Sequence, residues 1–216
     1  MMNLAEPMVV AAGSPRGHRP PRAPFEQFER GAPGRESLEA FIAATFLKNY
    51  GARIDHFSDT LAGVRNADGT WTAALGYSIG SHAPFFVEHY LDEPIELEIG
   101  RRLGQQVDRR RVVEVGNLAA IHSGAARALI VGTTMLLERM GLQFVTFTAT
   151  TSLLNSFGRL RLRPQELNRA DPARLPDGGR NWGSYYDTQP HVMFGDIHYG
   201  YSELARLAAH TPHPAD

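Results

Sequence analysis

The sequence contains no cysteine, and this absence narrows the chemistry open to the chain. A disulfide framework, a catalytic thiol and a cysteine-ligated zinc site are all excluded. Any covalent nucleophile would have to be another residue type. The lack of cysteine also fits a reducing compartment, and we expect a cytoplasmic protein.

Long apolar runs and a strong net charge are also absent. The longest apolar stretch, residues 128–137, is much shorter than the roughly 20 residues that span a bilayer. Met8–Ala12 is too short for the apolar region of a secretory signal peptide. With 22 basic and 23 acidic residues, the chain has no overall positive field of the kind that attracts nucleic acid. We therefore predict neither a transmembrane segment nor a nucleic-acid partner.

The composition is typical of a folded, soluble protein, with 43% apolar and 21% charged residues. A length of 216 residues suits one domain. Residues 1–34 are rich in proline, glycine and arginine, which predicts a flexible arm. We assign residues 35–200 to a single domain and residues 201–216 to a C-terminal helix or tail.

Hydrophobic periodicity predicts the first elements of this domain. An apolar stripe over residues 38–49, followed by a glycine, indicates an amphipathic helix. Residues 61–65 and 70–78 flank an Asp-Gly turn and predict a hairpin. Residues 85–90 are interpreted as a short third strand, and Pro94 as the start of a helix that runs to about Leu103.

Residues 111–120 are apolar on both alternating faces, which is typical of a central strand covered on each side. Ser123 is the predicted N-cap of a helix over residues 124–140, and residues 143–149 form the next strand. A helical crossover between two strands predicts that they are parallel. Strict alternation would place Glu114, Gly116, Leu118 and Ala120 on one face of the first strand.

Several segments resemble known families. Residues 114–120, EVGNLAA, resemble the fourth strand of acyl-homoserine-lactone synthases and N-acyl amino acid synthases, with Gly116-Asn117 in place of Ser-Arg. The order of elements resembles the GNAT fold. Over a longer range, residues 86–96, 147–157 and 182–187 (FVEHYLDEPIE, FTATTSLLNSF and WGSYYD) are similar to the bacterial thermostable hemolysin family. These resemblances imply an α/β fold with a mixed central sheet flanked by helices, whose fourth and fifth strands splay apart.

The resemblance also implies an activity. It is that of an N-acyltransferase, which moves an acyl group from acyl-CoA or an acyl-carrier-protein thioester to an amine or amino-acid acceptor, with no permanently bound cofactor. Backbone N–H groups at a helix N-terminus are suited to holding the phosphates of such a donor. The residues predicted to bind the thioester are Leu118, Ala119, Ala120, Ser123, Gly124, Ala125, Ala126, Arg127, Asn155 and Arg159.

Glu114 is the predicted general base, because a buried carboxylate with a raised pKa can accept a proton from the amine. The alternative is a structural ion pair with one of the arginines at 109–111. Glu88 is the second candidate carboxylate. The tyrosine that protonates the leaving thiolate in related enzymes is absent, so Thr150, Ser156 or water would serve instead.

Trp182 and Tyr186 are predicted to contact the substrate; the alternative is an aromatic cover over the core. His122 is either a loop residue or a group that titrates near neutral pH. His191, Asp196 and His198 are too loosely spaced to predict a metal site. Two rival functions remain, a membrane-active hemolysin without enzymatic activity and a GNAT-like module that binds without turnover.

Overall fold

The computed structural model describes residues 25–80 and 83–210. Its strands are β1 Glu26–Glu29, β2 Thr60–Arg65, β3 Trp71–Ile79, β4 Val112–Ala120, β5 Phe144–Ala149, β6 Gln165–Arg169 and β7 His191–Asp196. Its α-helices are α1 Arg35–Tyr50, α2 Ile95–Leu103, α3 Ser123–Arg139, α4 Thr151–Arg159 and α5 Ile197–His210. The strands form one sheet in the order β1-β2-β3-β4-β5-β7-β6. Among the neighbouring pairs described, β4 and β5 are parallel and the others are antiparallel. The predicted mixed α/β class is confirmed.

Alternating residues of the central strands supply two apolar layers. On one face, Leu38 and Ile42 of α1 pack against Ala74 and Ala119. On the other face, Leu129 and Leu137 of α3 and Ile197 of α5 pack against Ala73, Leu75 and Val113. Since successive strand residues point to opposite faces, the sheet is covered on both sides, as the apolar pattern of β4 predicted.

Three local predictions are wrong. Residues 26–29 were placed in the flexible arm, but they form β1 and pair with β2. Residues 85–90 were interpreted as a strand, but Phe86–Tyr90 is a 3-10 helix that begins where Glu88 accepts a hydrogen bond from the Phe85 N–H at 2.7 Å. The N-cap of α3 is His122 rather than Ser123. Residues 1–24 and 211–216, which hold the rest of the predicted arm and tail, lie outside the described residues.

The parallel strands β4 and β5 pair only at their start. Val112–Glu114 lie opposite Phe144–Thr146, and no further register joins the two strands along the described chain. The predicted splay is therefore present. It leaves the edge of β4 beyond Glu114 without a strand partner on the β5 side.

A β-bulge lies in the part of β4 that has no strand partner on the β5 side. Ala119 pairs with Ala74 and Gly116 with Gly76, so β4 has one more residue than β3 in this interval. Asn117 adopts a positive φ of 53° within the bulge. The bulge breaks the alternation on which the shared face of Glu114, Leu118 and Ala120 was predicted, and that prediction is wrong. Leu118 and Ala120 join the layer under α3, whereas Glu114 points to the opposite face.

Candidate active site

A cavity of about 410 Å³ passes through the gap between β4 and β5. On one face of the sheet it forms an aromatic compartment, lined by Phe46, Tyr50, His56, Phe86, Tyr90, Glu114, Trp182 and Tyr185. On the other face it forms an apolar compartment, lined mainly by Ile130, Thr133, Thr134, Leu137, Val145, Phe147, Phe157, Leu162, Ile197 and Gly200. Gly116, Asn117 and Leu118 lie where the two compartments meet. The splay of the strands thus joins two chemically different spaces.

Among the residues described, Glu114 has the only carboxylate in the aromatic compartment. Glu114 is buried, with 9% of its surface exposed to solvent. One carboxylate oxygen accepts a hydrogen bond from the Phe86 N–H at 2.8 Å, and the other accepts from the Val87 N–H at 2.9 Å. Burial raises the pKa of Glu114 to about 7, and the two backbone donors limit the rise. The alternative for Glu114, an ion pair with one of the arginines at 109–111, does not form among the described residues. Glu114 is therefore a buried carboxylate that lines the cavity and has a raised pKa.

Glu88, the second predicted catalytic carboxylate, has a different environment. It pairs with Arg109 at 2.6 Å and accepts backbone N–H bonds from Phe85 and Ile95. Burial opposes its ionisation, but Arg109 and the two backbone donors outweigh burial and lower the pKa of Glu88. Glu88 does not line the cavity. We infer that it fixes the 3-10 helix whose N–H groups hold Glu114.

Asn117 is a residue whose role the sequence did not reveal. Its side-chain oxygen accepts hydrogen bonds from the Ser58 N–H at 3.0 Å and the Ser58 hydroxyl at 3.2 Å. Its side-chain nitrogen donates to the His56 carbonyl at 3.0 Å. Asn117 therefore joins the β4 bulge to the segment that carries His56. The only sequence signal was that Gly-Asn replaces Ser-Arg in this strand.

The aromatic compartment has a continuous wall of rings. Phe86 stacks on His56 with ring centroids 5.4 Å apart and contacts Trp182 at 5.7 Å. Trp182 lines the cavity, as its predicted role requires. Tyr186 does not line this cavity, and its hydroxyl is hydrogen-bonded to that of Tyr90 at 2.6 Å. Tyr186 thus supports a wall residue rather than facing the cavity.

Some of the residues predicted to bind the thioester line the cavity at the start of α3. Ser123 and Ala126 line it, as do Leu118 and Ala120 of β4, whereas Ala119, Gly124, Ala125 and Arg127 do not. His122 lines the cavity too, and its Nδ1 accepts a hydrogen bond from the Ala125 N–H at 3.0 Å. This bond places the hydrogen of the neutral ring on Nε2. One of the helix N–H groups predicted to hold a phosphate is therefore already bonded to a side chain.

We expect His122→Ala to lower the free energy of unfolding by about 1 kcal/mol, the usual cost of losing an N-cap. Urea unfolding of the two proteins measures this difference. Ser123→Ala is the matched control, because Ser123 was the predicted cap and makes no capping hydrogen bond in the structure. Equal destabilisation by both substitutions would contradict the assignment of His122 as the cap.

Three residues with hydroxyl groups, Thr150, Ser152 and Ser156, line the cavity in or beside α4. Thr150 is its N-cap, and its hydroxyl oxygen accepts from the Leu153 N–H at 3.4 Å, which leaves the Thr150 hydroxyl hydrogen available for donation. The Ser156 hydroxyl instead donates to the Ser152 carbonyl at 3.3 Å. Asn155 and Arg159 are exposed and do not line the cavity. Thr150 is therefore better placed than Ser156 to donate a proton to a leaving group.

A family model described as "Thermostable hemolysin" matches residues 28–201. No curated protein matches the sequence.

Solved structures similar to this chain share its fold. TofI, in a ternary complex with an inhibitor and MTA, has a TM-score of 0.57 at 12% identity, and the match covers 84% of this chain and 96% of that one. FeeM, an N-acyl amino acid synthase from uncultured soil microbes, has a TM-score of 0.55 at 14% identity, covering 82% and 98%. BjaI, a CoA-dependent acyl-homoserine lactone synthase with SAM and isopentyl-CoA, has a TM-score of 0.54 at 12% identity, covering 84% and 85%. The predicted GNAT-like fold is confirmed.

Proposed function

This chain belongs to the thermostable hemolysin family, and we propose that it moves an acyl group from a thioester to the nitrogen of an amine. The observation that supports this proposal is the cavity through the β4–β5 gap, which has a buried carboxylate on one side and an apolar compartment on the other. Amide formation from a thioester needs proximity, a base and a polarised carbonyl. The chain has residues suited to each of these needs.

In the proposed arrangement, the apolar compartment takes the acyl chain and the thioester lies in the gap. Backbone N–H groups of β4 near Leu118–Ala120 polarise the carbonyl, because this edge has no strand partner beyond Glu114. The donor is acyl-CoA or the acyl thioester of an acyl carrier protein. Its pantetheine arm enters beside Ser123 and Ala126 of α3.

The amine enters the aromatic compartment as an ammonium ion, and Glu114 accepts one of its protons. The neutral nitrogen attacks the carbonyl carbon, a C–N bond forms and the C–S bond breaks. The nitrogen loses a second proton, and the leaving thiolate takes up one proton, for which we propose the hydroxyl of Thr150, the N-cap of α4, as the donor. The products are an amide, a free thiol and one proton released to solvent.

The test is to incubate the purified protein with acyl-CoA and mixed amines and to search for amides by mass spectrometry. We expect amide and free thiol in equal amounts. Because the chain has no cysteine, a thiol reagent reports the leaving group without signal from the protein. Absence of both products with all donors, including acyl-carrier-protein thioesters, would contradict the proposal.

A liposome assay with the same purified protein tests the rival function, that of a membrane-active hemolysin without enzymatic activity. No helix of the described residues is long and apolar enough to cross a membrane. We expect no dye release from liposomes by the protein alone. Dye release without amide formation would favour a directly membrane-active hemolysin.

A further inference from the structure

Building on the proposed acyl transfer, we infer that the acceptor is an amine with an aromatic or apolar body and no carboxylate group. The charges and rings of the aromatic compartment point to this class. Amino acids, in which a carboxylate lies beside the amine, are thereby disfavoured.

The walls of the compartment suit a cation with an apolar body. Aromatic rings from distant segments surround the space, with Trp182 in contact with Phe86 at 5.7 Å and with Tyr185 at 5.2 Å. Tyr50 packs edge-on against Tyr185 at 5.3 Å. An ammonium group over such ring faces is attracted by their quadrupoles, and the rings bury the body of the same ligand.

The charge distribution opposes a carboxylate. Among residues 25–80 and 83–210, Arg163 is the only arginine or lysine that lines the cavity, and it lies beside Leu162 in the apolar compartment. The one carboxylate of the aromatic compartment is Glu114. A substrate carboxylate that bound here would lose its hydration and lie near the negatively charged Glu114, with no fixed cation to stabilise it. An ammonium ion meets the opposite situation, because Glu114 attracts it.

Cations near the compartment are already paired. Arg30 lies on a segment near His56 and forms an ion pair with Asp59 at 3.1 Å. Arg109 is paired with Glu88 at 2.6 Å and Glu96 at 2.7 Å. Burial and then the charge of Arg30 lower the pKa of His56, which disfavours the charged form of its ring. The Ser58 hydroxyl donates to Asn117. These groups are therefore poor partners for an incoming carboxylate.

Matched pairs of acceptors that differ only in the carboxylate test the inference. Tyramine is compared with tyrosine, and phenethylamine with phenylalanine, at saturating acyl-CoA, with amide and thiol both measured. We expect kcat/KM for each amine to exceed that for its amino acid by at least tenfold. Equal rates, or faster reaction of the amino acids, would overturn the inference while leaving acyl transfer intact.

Calorimetry separates this inference from the proposed function. If the amines bind more tightly than the amino acids but no amide forms, the compartment's preference for amines without a carboxylate stands and the acyl transfer fails. If neither kind of ligand binds and no amide forms, both proposals fail. Each result therefore decides between the two claims.

A specificity change provides the sharper test. His56→Arg adds a fixed cation to the compartment, and the planar guanidinium can stack on Phe86 as the imidazole does. We expect the ratio of tyrosine to tyramine turnover to rise at least tenfold. His89→Arg is the matched control, since His89 also contacts Phe86, at 5.2 Å, but does not line the cavity. An equal shift in both variants would contradict a role for charge inside the compartment.

Discussion

Glu114→Gln is expected to lower the rate of amide formation by about a hundredfold, which is the usual effect of removing a general base. Glutamine keeps the size of the side chain but cannot accept a proton from the amine. Its oxygen still accepts one of the two backbone N–H bonds now made to Glu114. Steady-state rates with saturating acyl-CoA measure the change, and thioester affinity should stay close to that of the parent.

The pH profile identifies the group responsible. The folded pKa of Glu114 is raised to about 7, so the carboxylate is the minor form in mildly acidic solution and the major form above pH 7. The kcat/KM of the parent is therefore expected to rise with pH and to level off above about 7 as Glu114 ionises. In the glutamine variant this limb disappears, and the remaining rate increases with the fraction of neutral amine, so alkaline pH restores part of the loss.

Glu88→Gln is the control, because it removes a carboxylate that lies outside the cavity and is paired with Arg109. We expect a lower melting temperature with the pH limb retained. If Glu114→Gln instead melts far earlier and loses thioester affinity, Glu114 is a structural residue. Loss of the limb in the Glu88 variant alone would also exclude Glu114 as the base.

The fold could be predicted from the sequence where a single element carries the signal. The apolar pattern of β4, the stripe of α3 and the strand that follows predicted a parallel pair and its crossover. The bulge could not be predicted in the same way, since its register depends on how β3 pairs with β4. The positive φ of Asn117 is a tertiary feature, because its side chain is bonded to Ser58 and His56, about sixty positions earlier in the chain.

The aromatic compartment shows a second limit. Its rings come from α1, from the 3-10 helix Phe86–Tyr90 and from the segment around Trp182, and no periodicity relates positions so far apart. The 3-10 helix was misinterpreted because alternating apolar residues such as Phe85 and Val87 are typical of a strand. What turns the chain is Glu88, whose carboxylate accepts the Phe85 and Ile95 N–H groups and pairs with Arg109. Those contacts depend on distant residues, so the local pattern could not indicate them.

Gly200→Leu is expected to shorten the acyl chain that the protein accepts. A side chain at Gly200 would start between Leu162 and Thr134, each 3.5 Å from the position of an added Cβ atom, and all three residues line the apolar compartment. A leucine there would occupy the space of about four methylene groups. At about 0.8 kcal/mol for each buried methylene, dodecanoyl-CoA should lose about 3 kcal/mol of binding, or roughly a hundredfold in kcat/KM.

Butanoyl-CoA is the matched donor for this test, because a short chain held at the β4–β5 gap should not reach Gly200. We expect its kcat/KM to change by less than threefold in Gly200→Leu. Gly200→Ala is the control variant, since its Cβ atom makes only ordinary van der Waals contacts, and it should lie between the parent and the leucine variant for long chains. An equal loss for both donors would mean that the substitution disturbs the whole site. No loss for dodecanoyl-CoA in a folded protein would place the acyl chain outside the apolar compartment.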